Sequence, residues 1–419
     1  LKMLPSNTLS SMNELEDSPV VEVYLREDEN GRTINIHKLE RCRLVGSNIL
    51  YPNCLLLSGG DVFRPMKERV MSLENVPQFA NEITVGSEAC ATMKIPVFFF
   101  IYNTDNYYHF IYDTLPYLIT YMYLKKNIPE LKLLMNYPNQ NKSSLYPFVL
   151  EFLEILGVHK DIVMADENTM YERIYMSSSY THGHDSNLPP RKEIYYLYNT
   201  IVDKVVDASK ASNSYPEKIY VSRRSWMHKD LSNIGTNYTT KRSLCNENEL
   251  VSYLLKKDYS EVFAEQLSTV DKINMFHRAK HVVGAIGGGI CNVLFSPFNT
   301  RLIALISPTF LDVNERFLYS FSRVKTHLFM DTHHHELANW KKYMRVRTIS
   351  GITGEIEEIL SDGTINVLFC DGNVSGWNSQ MELKRMNVPT SECTKMDEGL
   401  NSAWSIDMSS FKRYIDAIT

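Results

Sequence analysis

His109 and Asp113 stand four residues apart in the stretch Asn106-Tyr-Tyr-His-Phe-Ile-Tyr-Asp. On a helix that spacing brings both side chains to one face. A histidine whose proton affinity is adjusted by a carboxylate one turn away is a device for taking a proton at neutral pH; the bland alternative is a satisfied core histidine in an aromatic helix. Further on, Gly284-Ala-Ile-Gly287-Gly288-Gly289-Ile-Cys-Asn292 lies between an apolar run and a helix start. Glycines there let the backbone close on a ligand, and the N–H groups and dipole of the next helix favour an anion, a diphosphate being the natural guest. The competing reading is that these glycines serve only close packing of helix on sheet. Tyr220-Val-Ser222-Arg223-Arg224, followed by Arg242, sets guanidinium groups where a strand emerges. Open α/β sheets bind ligands beyond that end of their strands, and arginine forks suit phosphate oxygens. Arg223 is the first choice for such a contact, against the alternative of a solvated surface pair.

Other chemistries are less well served. His182-Gly-His184-Asp185 and Asp331-Thr-His333-His334-His335 hold metal-capable side chains, but without the spacing of a helical zinc motif or a partner cysteine they read as exposed loops, and no metal is expected. Gly287 to Asn292 nearly matches the G-x-G-x-x-G fingerprint of dinucleotide binding. However, the loop follows the third strand of its half, and no acidic residue ends a strand about 20 residues later. The chain has no G-x-S-x-G elbow, no G-x-x-x-x-G-K-[ST] loop and no D-x-D pair. A bound diphosphate would therefore be met by arginine and backbone N–H groups.

The elements that must position these groups follow an α/β order. Ile95–Tyr102 is continuously apolar, as a strand buried on both faces would be, and the helix after it kinks or restarts near Pro116. A strand at KLLMNY, a helix closed by Gly157 and a helix from Arg191 to Lys210 complete a first domain over 21–212, after a loose tail over 1–20. Over 213–340 the pattern is strand, helix, strand, helix capped by Ser268, strand, glycine loop, helix, strand, as in a parallel sheet with right-handed crossovers. From Arg345 short alternating runs with Ser-Gly, Thr-Gly and Asp-Gly turns predict a small β-barrel of SH3 or Tudor type within 341–419.

At 419 residues there is material for two or three domains. Lys plus Arg number 44 against 49 Asp plus Glu, a net charge of −5, too mild for a polybasic nucleic-acid or membrane-surface protein. The seven cysteines, odd in number and without a C-x-x-C pair, read as reduced thiols of a cytoplasmic protein. The polar start carries no signal-peptide pattern, and the apolar window Val97–Leu124 is interrupted by Asp105, His109, Asp113 and Pro116, which argues against a span. An anchor before residue 1 stays open.

Taken together these pieces resemble glycosyltransferase family 61, which includes plant xylan-decorating transferases and animal O-linked N-acetylglucosaminyltransferases. Asn106, His109, Asp113, Leu115 and Pro116 match its N-x-x-H helix; Tyr220, Ser222 and Arg223 its Y-[IV]-S-R strand; Arg242, Asn246, Glu247, Glu249 and Leu250 its R-x-x-x-N-E-x-E-L helix. Glu265, Leu267 and Ser268 match a Glu-x-Leu-Ser segment, and Ala279, Gly284, Gly287, Asn292 and Phe295 the glycine loop. The family usually has histidine before the second loop glycine; here it is Ile286, so no role is carried over from it. The barrel region lies outside the pattern.

The resemblance implies a GT-B-like fold, two Rossmann-like domains facing a cleft, with the nucleotide on the second domain and the acceptor on the first. It implies inverting transfer from a UDP-sugar (xylose, arabinose or N-acetylglucosamine type) to a glycan or glycoprotein hydroxyl, with no metal or other cofactor. His109 or Asp113 would be the base. Arg223, Arg242 and the Gly287, Gly288 and Gly289 amides would hold the diphosphate, with Asn292 also among the donor-binding residues and Glu265 on the ribose or donor sugar. The rivals are an NAD-dependent oxidoreductase on the same sheet and an inactive glycan-binding protein. An interaction module built on the C-terminal region would need an aromatic cage, for which only Phe369 and Trp377 offer walls.

Overall fold

The computed structural model describes residues 20–22, 34, 36–45, 48–50, 56–57, 70–71, 91–102, 104–137, 144–166, 168–177, 179–181, 189–206, 215–223, 244–308, 315–334, 340, 345–350, 353–370, 383–395 and 403–418. It begins with β1 (Val20–Glu22), β2 (Ile36–Val45), β3 (Asn48–Leu50), β4 (Leu56–Leu57), β5 (Val70–Met71), β6 (Ala91–Met93) and β7 (Val97–Phe99). The apolar run foreseen as a doubly buried strand is β7, whose three residues are fully buried. Next come a π-helix (His109–Thr114), a 3-10 turn (Leu115–Tyr117) and α1 (Leu118–Lys125). Pro116 has no N–H to give and its ring crowds the preceding turn, so the foreseen kink is taken up as changes of helical pitch. The first part closes with β8 (Lys132–Met135), α2 (Pro147–Leu156), β9 (Ile162–Met164), β10 (Thr169–Ser177) and α3 (Glu193–Val205). Gly157 ends α2 in the left-handed region at φ 78°, its N–H donating to Glu154 O at 2.8 Å.

The strands of this part form a mixed sheet in the order β5-β4-β3-β2-β10-β7-β8-β9, with β10, β7, β8 and β9 mutually parallel. The second part contains β11 (Lys218–Val221), α4 (Glu247–Leu255), β12 (Ser260–Val262), α5 (Thr269–Arg278), β13 (His281–Ala285), a 3-10 helix (Ile290–Phe295), β14 (Arg301–Leu305), α6 (Glu315–Ser320) and β15 (Lys325–Phe329). Its sheet runs β1-β15-β14-β13-β11-β12, parallel throughout except for β1. Ser268 caps α5 as foreseen, accepting from Asp271 N at 3.1 Å. Chain direction across the sheet reverses at β11: α4 leads to β12 on one side, and β13, β14 and β15 follow on the other. The seam between β11 and β13 is thus a topological switch point, where open α/β sheets form a crevice.

One continuous apolar core takes in helices of both parts. Phe295 stacks on Phe152 of α2 and meets Tyr198 of α3 edge-on, each with ring centroids 5.7 Å apart. Arg323 ties the same joint, donating to Ser296 O and to Asn199 Oδ1, both at 2.6 Å, and Tyr195 bonds Ser322.

The last part holds β16 (Thr332–His334), β17 (Arg345–Thr348), β18 (Thr353–Ile359), β19 (Thr364–Cys370), β20 (Leu383–Pro389), β21 (Cys393–Lys395), β22 (Trp404–Ile406) and α7 (Met408–Ile418). The foreseen barrel is corrected to an antiparallel sheet in the order β20-β19-β18-β17-β21, over a small core of Val346, Ile356, Ile365, Val367 and Val388. Among the described residues β20 and β21 are its two edges and no ladder joins them, so the sheet is open. Residues 403–418 turn back onto the second sheet: Phe411 of α7 meets Phe329 of β15 edge-on at 5.2 Å. There the Asn246 amide donates to Ile406 O and accepts from Ile406 N. Among the described residues no helix is long and apolar enough to cross a membrane.

Candidate active site

Arg223 leaves the carboxyl end of β11 under the control of Glu247, the first residue of α4. One carboxylate oxygen of Glu247 accepts from Arg223 N at 2.7 Å, Tyr220 OH at 2.8 Å and Ser222 Oγ at 3.2 Å. Its place at a helix start suits an anion. Burial pushes the Glu247 carboxyl above the usual range, and the three hydrogen bonds oppose that shift. The sequence alone does not mark this hub as functional, although Glu247 lies within a matched motif.

Across the switch point from Arg223 lies the glycine loop after β13. Its glycines do different work. A Cβ on Gly284 would lie 2.4 Å from Ile290 Cγ2, and one on Gly289 would lie 2.9 Å from Val221 Cγ1; both are packing requirements. A Cβ on Gly287 would meet the Arg223 guanidinium at 3.0 Å, and one on Gly288 would touch Tyr108 Cβ at 3.4 Å. Arg223 Nη1 donates to Ile286 O at 3.4 Å, so the arginine and the loop share one place, as the sequence suggests. The helix foreseen after the loop is a six-residue 3-10 helix, Ile290–Phe295. So short an element adds little dipole.

The His109–Asp113 pair forms on the π-helix. Asn106 Oδ1 accepts from His109 N at 3.2 Å at its start. His109 Nδ1 lies 2.6 Å from Asp113 Oδ2; the aspartate side chain is fully buried, while 28% of the histidine side chain remains exposed. A carboxylate oxygen can accept from Nδ1–H, and in the tautomer that makes this hydrogen bond Nε2 keeps its lone pair.

Two contacts lock this helix to the glycine loop. Tyr107 OH donates to Asn292 Oδ1 at 2.6 Å, and Asn292 Nδ2 donates to Gly289 O at 2.9 Å. Asn292 is fully buried. Expected from sequence to contact a ligand, it is placed by the structure as a latch between loop and helix. Tyr108, against Gly288, stacks on Phe317 with centroids 4.0 Å apart.

Glu265 sits in the 3-10 turn that follows β12, the neighbour of β11, and its buried Oε1 has no hydrogen-bond partner among the described residues. Close to it, and unforeseen, is Lys272 of α5. It is 6% exposed, with Nζ 4.4 Å from the Tyr107 ring centroid. Burial pushes the Lys272 ammonium down to about 8, while Glu151 and Glu265 act in the opposite sense.

Arg224 and Arg242 lie outside the described residues, as do His182, His184, Asp185, His335 and Trp377. Among the described residues no three His, Cys, Asp or Glu side chains gather as they would around a metal ion.

Residues 107–303 match the family model described as Glycosyltransferase 61. A search of curated proteins returns no match. The matched stretch begins at Tyr107, beside the His109–Asp113 pair, and runs through the Arg223 strand, Glu265 and the glycine loop into β14. Across residues 107–303 the chain carries a glycosyltransferase 61 domain, and the protein is a glycosyltransferase.

Proposed function

We propose that the enzyme transfers a sugar with inversion from a UDP-sugar (xylose, arabinose or N-acetylglucosamine type) to a hydroxyl of a glycan or glycoprotein, in a GT-B-like arrangement and without a metal ion. The observation that carries this reading is the pairing of His109 Nδ1 with the buried Asp113 at 2.6 Å, on a helix bonded to the glycine loop through Tyr107 and Asn292. A base and an anion-binding crevice thereby share one rigid frame.

In a single displacement the acceptor oxygen attacks the anomeric carbon while the bond from that carbon to the diphosphate breaks on the opposite face. His109 Nε2 takes the acceptor proton, and Asp113 stabilises the imidazolium that results. The leaving UDP gains negative charge on its terminal phosphate. Arg223 and the Gly287, Gly288 and Gly289 amides meet that charge with hydrogen bonds already aimed at it, and Arg242 joins them in this reading. Among the described residues Cys42, Cys291 and Cys393 are free thiols, in keeping with the cytoplasmic setting of this reading.

The test is turnover with UDP-sugars in the presence of a chelator, with the product anomer read by NMR. A product of inverted configuration, formed at an unchanged rate under chelation, is the expected result. A retained anomer, or activity that disappears with the chelator and returns with a divalent cation, rejects the corresponding part of the proposal.

A further inference from the structure

Glu247 gathers Arg223 N, Tyr220 OH and Ser222 Oγ on one carboxylate oxygen, so the place of the arginine follows from the place of the first residue of α4. The residues that grip the start of α4 lie beyond the matched stretch 107–303, in the C-terminal strand β22. Leu244 bridges Trp404 in parallel, and Cys245 N donates to Trp404 O at 2.8 Å. The Asn246 amide donates to Ile406 O at 2.8 Å and accepts from Ile406 N at 3.2 Å. β16 pairs antiparallel with β22 as well, so residues 244–246 take the other edge of that strand.

Asn246 is the N-cap of α4, a position where asparagine ordinarily accepts from an N–H in the first turn of its own helix. Here it makes no such bond. Its amide is turned instead to the Ile406 backbone, which meets both a donor and an acceptor of the side chain. Trp404, 1% exposed, belongs to the same apolar cluster as Tyr220 of β11 and Leu250 of α4, so β22 is packed onto the strand that carries Arg223. Farther along α4 the contacts with α7 are exposed: Lys412 Nζ to Glu249 Oε1 and Tyr253 OH to Asp416 Oδ1, both at 2.8 Å. Exposed pairs of that kind contribute little, which leaves the residues at the helix start as the fixed point.

We infer that Asn246 is a positioning residue for the donor site: by gripping Ile406 it sets the start of α4, and Glu247 passes that setting to Arg223. The inference rests on the reading in which Arg223 meets the diphosphate. It makes the C-terminal strand, outside the family's matched stretch, a working part of that site.

The experiment is a double-mutant cycle read by calorimetric titration of UDP into the full chain, into Asn246→Ser, into Arg223→Ala and into the variant carrying both, well below every melting temperature. Serine caps a helix about as well as asparagine, but it has no amide to match the Ile406 backbone, so α4 is kept and the grip is lost. Arg223→Ala is expected to weaken UDP binding about 10- to 100-fold, the range for a hydrogen bond to a charged group. Asn246→Ser is expected to weaken it about 10-fold when Arg223 is present and not at all when Arg223 is absent, because its effect passes through that side chain. An equal loss in both backgrounds would make Asn246 a general support of the fold and overturn the inference, as would unchanged affinity in Asn246→Ser; both results leave the donor reading intact. If Arg223→Ala binds UDP as the unaltered protein does, the donor reading falls and the inference with it. Should Asn246→Ser not fold, Asn246→Asp, which keeps an acceptor for Ile406 N and loses the donor to Ile406 O, carries the same cycle.

Discussion

Tyr107 donates its hydroxyl to Asn292 at 2.6 Å, joining residues 185 positions apart. The bond links the residue two places before His109 to the residue three places after Gly289, and Asn292 returns a bond to the Gly289 carbonyl. The segment that carries His109 and the glycine loop are therefore tied together through one buried amide.

Tyr107→Phe leaves Asn292 Oδ1 buried without its donor. The expected cost is about 1–3 kcal/mol of stability, the desolvation penalty of an unmet polar group, read as a lower denaturation midpoint. Turnover should fall with it, because the loop and the histidine lose their common tie. A variant with unchanged midpoint and rate would show that the latch is incidental.

The glycines should separate by function. Gly284→Ala places a methyl 2.4 Å from Ile290, and overpacking of this kind costs about 1–3 kcal/mol, so the melting temperature should drop. Gly288→Ala places a methyl 3.4 Å from Tyr108 Cβ, an ordinary van der Waals contact; it should weaken UDP binding and leave the melting temperature near that of the unaltered protein. Equal thermal losses in the two variants would contradict this division.

Asp113 is buried beneath His109 and positions it. In the proposed mechanism, Asp113→Asn removes the carboxylate that would stabilise the imidazolium while keeping the shape. We expect kcat to fall by about 100-fold or more, within the span attributed to general-base catalysis, with little change in donor KM. A loss confined to KM would place Asp113 in binding instead.

Lys272 makes stability depend on pH in a stated direction. Its ammonium is held at about 8 in the folded chain against an ordinary value of 10.5. A group depressed by folding contributes stability in full above its unfolded value, and that contribution is lost as pH falls through the folded value. Stability attributable to Lys272 should therefore decline between about pH 10.5 and pH 8, by up to about 3 kcal/mol. Lys272→Met should remove this slope and melt no lower at pH 7. Denaturant titrations of both proteins across that range provide the check, and parallel curves would show that Lys272 is better solvated than its burial indicates.

Features encoded by near neighbours are legible in the amino-acid order itself. The His109–Asp113 spacing, the Ser268 cap, the Gly157 helix end and the strand–loop order around Gly287 each depend on a few adjacent residues, and each has its counterpart in the fold. The Tyr107–Asn292 latch and the Glu247 hub depend on partners 185 and about 24 to 27 residues apart, and no local pattern reports such pairings. Lys272 is hidden for another reason: on an amphipathic helix a lysine reads as solvated, and only packing against the first part of the chain buries it. Asn292 matches the last place of a ligand-binding glycine motif, yet its amide is spent on Tyr107 and Gly289. The open C-terminal sheet shows a similar limit, since turn residues announce hairpins but say nothing of whether the edges meet.

Every functional statement above depends on a sugar nucleotide's diphosphate lying between the ends of β11 and β13. A crystal structure of the full chain with bound UDP-sugar tests this most directly. The expected result is a diphosphate within hydrogen-bond distance of the Arg223 guanidinium and the Gly287–Gly289 amides, with the anomeric carbon facing His109 Nε2. A diphosphate bound elsewhere, with that crevice closed by side chains, would contradict it.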